Sequence, residues 1–178
     1  MKSIRDVYKI GKGPSSSHTM GPERPARLFL SKYPDAETYR VVLYGSLSKT
    51  GRGHGTDRVL YEVLGRELTE VVFSEETPHS LPHPNTLDFF ACREGKPYAT
   101  MRVASIGGGD IVIDGEDPAA GEDIYPENSF AEIEQFCRWR YITLSEYVEL
   151  NEGPEIWDFL AEVWKAMTDA IDAGLNAE

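Results

Sequence analysis

Between Gly13 and Pro22 the chain reads Gly13-Pro14-Ser15-Ser16-Ser17-His18-Thr19-Met20-Gly21-Pro22. Four hydroxyls and an imidazole in five consecutive positions can donate to a carboxylate, accept from an ammonium and move a proton. Glycine–proline pairs on both sides mark the stretch as a loop. The apolar run Ala26, Leu28, Phe29 and Leu30 follows at once, and proline is favoured in a first helical turn. A helix is therefore expected from about Pro22 to Ser31. The hydroxyls of Ser15, Ser16, Ser17 and Thr19 would then lie at its N-terminus, with His18 among them. Backbone N–H groups and the helix dipole favour an anion there, and a small carboxylate fits. An ordinary Ser/Thr cap uses one such side chain. Four exceed that need, and the stretch reads as a ligand loop.

A second stretch repeats the chemistry: Gly45-Ser46-Leu47-Ser48-Lys49-Thr50-Gly51-Arg52-Gly53-His54-Gly55-Thr56-Asp57. It follows Thr38 to Tyr44, a β-branched and aromatic run that reads as a buried strand. It precedes a helix carrying Val59, Leu60, Val63 and Leu64 on one side, with Thr56 or Asp57 as its N-cap. Two glycine-hinged polar loops, each opening a helix, are expected to converge on one pocket. Gly53 and Gly55 give His54 the backbone freedom to push its imidazole into that pocket. His54 is a candidate site residue, with Asp57 three positions on. Ser15, Ser16, Ser17, His18, Thr19, Thr56 and Asp57 are the candidate substrate contacts. The structural alternatives are plain: His18 as an internal hydrogen-bonding group, Asp57 as a cap. Ser17, His54 and Asp57 have the residue types of a hydrolase triad, but no G-x-S-x-G elbow is present.

The remaining elements must position these loops. Thr86 to Cys92 and Tyr98 to Ile106 form an expected hairpin about Arg93-Glu94-Gly95-Lys96. Gly107-Gly108-Gly109 leads into a short strand, Asp110 to Ile113, rather than a helix, which disfavours a dinucleotide site. The acidic, Gly/Pro-rich stretch from Asp114 to Glu127 reads as an exposed loop. Ser129 with Glu132 and Thr143 with Glu146 match the capping-box pattern, so two short helices should follow. Beyond Gly153-Pro154, Ile156, Leu160, Val163, Trp164, Met167 and Ile171 recur every three or four residues, giving an amphipathic helix whose stripe includes Trp157 and Trp164. Such a stripe serves its own core or docks another subunit, a second copy included. The expected fold is α+β: a two-layer sandwich, a mixed sheet with helices on one face, plus C-terminal helices. The expected division is residues 1–150 and a C-terminal helix over 151–178.

Composition narrows the function. A net charge of −12 over 178 residues argues against nucleic acid and against an anionic membrane. No run of about 18 apolar residues could span a bilayer. The first residues carry no apolar signal region, so a cytoplasmic location is expected. The two cysteines, Cys92 and Cys137, form no CxxC pattern and read as buried thiols. His79 and His83 are spaced by prolines, which break the helix that would align both rings on a metal. No metal site is expected in this chain.

With both loops in hand, Ile10 to Thr19, Gly45 to Asp57 and Ser105-Ile106-Gly107-Gly108-Gly109 together resemble the β chain, or β domain, of iron–sulfur-dependent L-serine dehydratase. The resemblance covers roughly residues 3 to 150, and the final helix is similar to the segment joining this domain to the catalytic domain in single-chain members. It implies conversion of L-serine to pyruvate and ammonia, with His54 as the base and Asp57 near enough in sequence to orient it. A [4Fe–4S] cluster would be held by the partner α chain or domain, and this chain alone would be inactive. Two cysteines agree with that division, since a cluster needs three or four protein ligands. The family's β domain also resembles a serine-sensing domain of some phosphoglycerate dehydrogenases, which implies a regulatory alternative: the same loops bind serine and act allosterically.

Overall fold

The computed structural model describes residues 1–75, 81–116 and 123–177. Contacts divide the chain into two compact units, residues 11–118 and residues 1–10 with 119–178.

The first unit is an α+β sandwich. Helix α1 (Gly21–Lys32) leads to strand β1 (Thr38–Leu43), helices α2 (Gly45–Thr50) and α3 (Thr56–Leu64), and strand β2 (Thr69–Phe73). Strands β3 (Thr86–Arg93), β4 (Lys96–Gly107) and β5 (Asp110–Ile113) follow. The sheet order is β2-β1-β3-β4-β5. Only β1 and β2 pair in parallel, as the crossover through α2 and α3 permits.

Strand alternation places Tyr39, Val41 and Leu43, Leu87, Phe89 and Ala91, and Met101 and Val103 on one face. Phe29, Leu47 and Leu60 cover them from the helices, each with no exposed surface. Full burial of one such side chain contributes roughly 1.5–3 kcal/mol. The opposite face carries a polar cluster. Asp88 receives both ends of the Arg102 guanidinium at 2.7 Å and the Tyr44 hydroxyl at 3.1 Å.

The sequence reading placed the hairpin, its turn and the strand after it correctly, and the fold is the α+β sandwich expected. Three details differ. Residues 45–50 are helical, although Leu47 is their only apolar residue. So short a helix is stable only through its tertiary contacts: Leu47 in the core, and the Ser48 hydroxyl on the Ser74 carbonyl at 2.6 Å. Strand β2 was not foreseen, because Thr69–Phe73 is a five-residue edge strand with little alternation. Thr56 is not an N-cap. Gly55 takes that place in the left-handed region (φ +68°) and no side chain caps the helix. The three glycines at 107–109 all have positive φ and make the β4–β5 turn, opposite the pairing of Gly107 with Asp110.

The second unit is helical: α4 (Phe130–Arg140), α5 (Leu144–Glu152) and α6 (Ile156–Leu175). Thr143 completes a full capping box with Glu146. Ser129 makes half of one, since the Glu132 carboxylate takes the amide of Asn128 instead. Tyr125, Ile133 and Tyr147 form the core. The N-terminal residues belong here because Glu152 receives the Ser3 hydroxyl, the Ile4 amide and the Tyr125 hydroxyl, each at 2.7 Å. Along α6, Ile156 and Val163 are buried, while Trp164, Met167, Ile171 and Leu175 are exposed. Among the described residues no helix is long and apolar enough to cross a membrane.

Candidate functional site

The hydroxyl loop is a single π-helical turn, Ser16–Met20, continuous with α1. Pro22 has no N–H to give to the turn before it, and the carbonyls of Ser17 and His18 are both met by side-chain hydroxyls. The Ser105 hydroxyl reaches Ser17 O at 2.9 Å and the Thr56 hydroxyl reaches His18 O at 2.5 Å. The Thr19 hydroxyl bonds His54 O at 2.9 Å. Thr19 and Thr56, both buried, thus tie the two loops together. Gly21 is required by close approach, because a Cβ there would stand 2.0 Å from Ser105 Oγ.

The two loops do converge. His18 is 9% exposed. Its Nδ1 meets Ser17 Oγ at 2.9 Å, and its Nε2 meets Ser46 Oγ at 3.2 Å and Thr50 Oγ1 at 3.0 Å. The half-buried His54 ring lies 4.9 Å from it, centroid to centroid, tilted by 40°. His54 Nδ1 is 2.9 Å from Thr50 O. A carbonyl only accepts, so Nδ1 carries a proton, and in the neutral ring the lone pair is on Nε2. Burial, and then the neighbouring His54 charge, hold His18 below the ordinary imidazole value, against a smaller raising effect from Ser46.

Of the residues singled out in the sequence, Ser15, Ser17, His18, Thr19, His54 and Thr56 are joined in this one network. Ser15 caps the turn by accepting the His18 amide at 3.2 Å. Ser16 is exposed. Asp57 is not the group that orients His54, whose Nδ1 is held by Thr50. Ser46, Thr50 and Ser105 stand within the motif stretches but were not among the candidate contacts. Ser46 and Thr50 are four apart and share a face only once residues 45–50 are known to be helical. His79 lies outside the described residues, and His83 Nδ1 accepts the Asn85 amide at 3.1 Å.

The thiols do not fit an iron–sulfur cluster. Cys92 is on β3 and Cys137 on α4, and two thiolates fall short of the three or four a cluster takes.

Residues 3–72, which hold both loops, match the family model described as serine dehydratase beta chain. L-serine dehydratase 2 of Escherichia coli is 30% identical over 227 residues, covering all of this chain and 50% of that protein. L-serine dehydratase of Streptomyces coelicolor is 30% identical over 230 residues, covering 99% of this chain and 50% of that one. The Mycobacterium bovis enzyme of the same name is 31% identical, over 84% of this chain and 42% of its own length. The chain therefore spans about half the length of these relatives. With both histidine loops inside the matched region, this chain belongs to the serine dehydratase β-chain family.

Proposed function

We propose that this chain is the β part of an L-serine dehydratase, that it binds L-serine at the His18–His54 network, and that His54 is the base. The observation that carries this reading is the Nδ1 contact of His54 with Thr50 O. It fixes the ring, and in the neutral form it leaves the lone pair on Nε2. In the proposed reaction Nε2 takes the Cα proton of serine and hydroxide leaves Cβ, which together release water and 2-aminoacrylate. Its imine tautomer then takes up water, giving pyruvate and ammonia. A cluster, held by thiolates outside this chain, would supply a Lewis acid. The surrounding hydroxyls orient the amino acid for proton transfer.

The test is His54→Ala in the enzyme assembled with its cluster-bearing part. Loss of a general base lowers kcat by about 10²- to 10⁴-fold, with a smaller change in serine affinity. A nearly intact maximal rate with a displaced or flattened saturation curve would refute the base. It would favour the serine-sensing alternative, in which the same network acts allosterically.

A further inference from the structure

The hydroxyl protons of the site can be followed one by one, and they single out Ser46. Thr19, Thr56 and Ser105 donate to the carbonyls of His54, His18 and Ser17. Thr50 donates to Ser46 O at 2.9 Å, the back-bond of a helical threonine. With its proton used there, Thr50 Oγ1 can meet His18 Nε2 at 3.0 Å only as an acceptor. His18 must therefore carry its proton on Nε2. Its Nδ1 is then the acceptor and takes the Ser17 proton at 2.9 Å. Ser46 Oγ, 3.2 Å from the same Nε2–H, is an acceptor too, and among the described residues its own proton has no acceptor. Ser15 retains a proton 3.5 Å from Ser17 Oγ, the hydroxyl at His18 Nδ1. Ser16 is exposed.

We propose that Ser46 is a substrate-binding residue whose hydroxyl donates to the carboxylate of the amino acid, with Thr50 positioning it by fixing the His18 tautomer. The proposal rests on the serine-binding reading above. A hydroxyl that accepts from an imidazole N–H is a polarised donor, and a carboxylate is the strongest acceptor a small amino acid offers. Removing the Ser46 hydroxyl leaves His18 Nε2–H still bonded to Thr50, so its loss has a functional consequence separable from a structural one.

The experiment uses the full chain and two probes: L-serine, and serinol, in which a hydroxymethyl group replaces the carboxylate. Binding is measured by titration calorimetry for the wild type and Ser46→Ala. The His18 tautomer is read from long-range ¹H–¹⁵N correlations in the wild type. The expected results are a proton on His18 Nε2, a serine affinity about 10- to 100-fold weaker in Ser46→Ala, and little change for serinol. A proton on His18 Nδ1 overturns the assignment whether or not the variant folds. So does an unchanged serine affinity, or an equal loss for both probes; in those cases wild-type binding leaves the serine reading standing. A wild-type chain that binds no serine overturns that reading and this assignment with it.

Discussion

His18 and His54 lie ring to ring, 4.9 Å between centroids, and both are anchored on Thr50: His18 through the threonine hydroxyl, His54 through its carbonyl. One residue of a six-residue helix thus sets the attitude of two imidazoles from different loops. At this distance the His54 charge acts with burial against a proton on His18.

The pH dependence of stability follows. Unfolded, His18 takes its proton near about pH 6.5; folded, burial and His54 push this lower. Between the two values the unfolded chain binds more protons, so the contribution of neutral His18 is complete above about pH 6.5 and is lost as pH falls through the folded value. The urea midpoint should drop between about pH 7 and 5, less steeply in His18→Gln. An NMR titration placing His18 at or above its ordinary value would contradict this.

Gly21→Ala should destabilise the first unit by roughly 1–3 kcal/mol, as overpacking does. The new Cβ would meet Ser105 Oγ at 2.0 Å and Ser105 Cβ at 2.9 Å. Adding Ser105→Gly should recover part of that loss in urea unfolding. No recovery would mean the clash is relieved by backbone movement instead.

Asp88 is 7% exposed and depends on Arg102 and Tyr44 for its partners. Arg102→Leu leaves that carboxylate without its bidentate donor. The expected cost is about 1–3 kcal/mol, at the lower end because Arg102 itself is partly solvated. The double variant Asp88→Asn with Arg102→Leu should be more stable than Arg102→Leu alone, and thermal unfolding decides between them.

Helix α6 has two faces with opposite expectations. Ile156→Ala should cost about 2–4 kcal/mol because Ile156 is fully buried. Trp164→Glu should stay within about 0.5 kcal/mol, since Trp164 is 66% exposed. Unfolding on Trp164→Glu would show that the tryptophan belongs to its own unit's core.

Much of this was legible in the sequence where side chains report their own surroundings. The strand at Thr38 and the hairpin from Thr86 show in apolar and β-branched runs, and the Thr143 cap shows in its glutamate three residues on. The two histidine loops were legible as chemistry, because hydroxyls and imidazoles between glycines have few other uses. What the sequence does not display is who holds whom. Thr56 looks like a cap but closes on His18 O, 38 residues away. Asp57 looks like the orienter of His54, yet a backbone carbonyl does that work, and carbonyls carry no signature in a sequence. Ser46 and Thr50 were hidden because a helix with one apolar residue has no periodicity to read.

The side-chain bonds to the carbonyls of Ser17 and His18 have a consequence in time. Their donors, Thr56 and Ser105, come from 38 and 88 residues downstream, so the loop around His18 takes its final shape only after α3 and β4 are in place. Contacts of such separation close late. A partly folded chain therefore presents no site, and a ligand that needs the finished loop cannot hasten its making. Bound to the native state, it holds that state by mass action and slows the chain's departure from it.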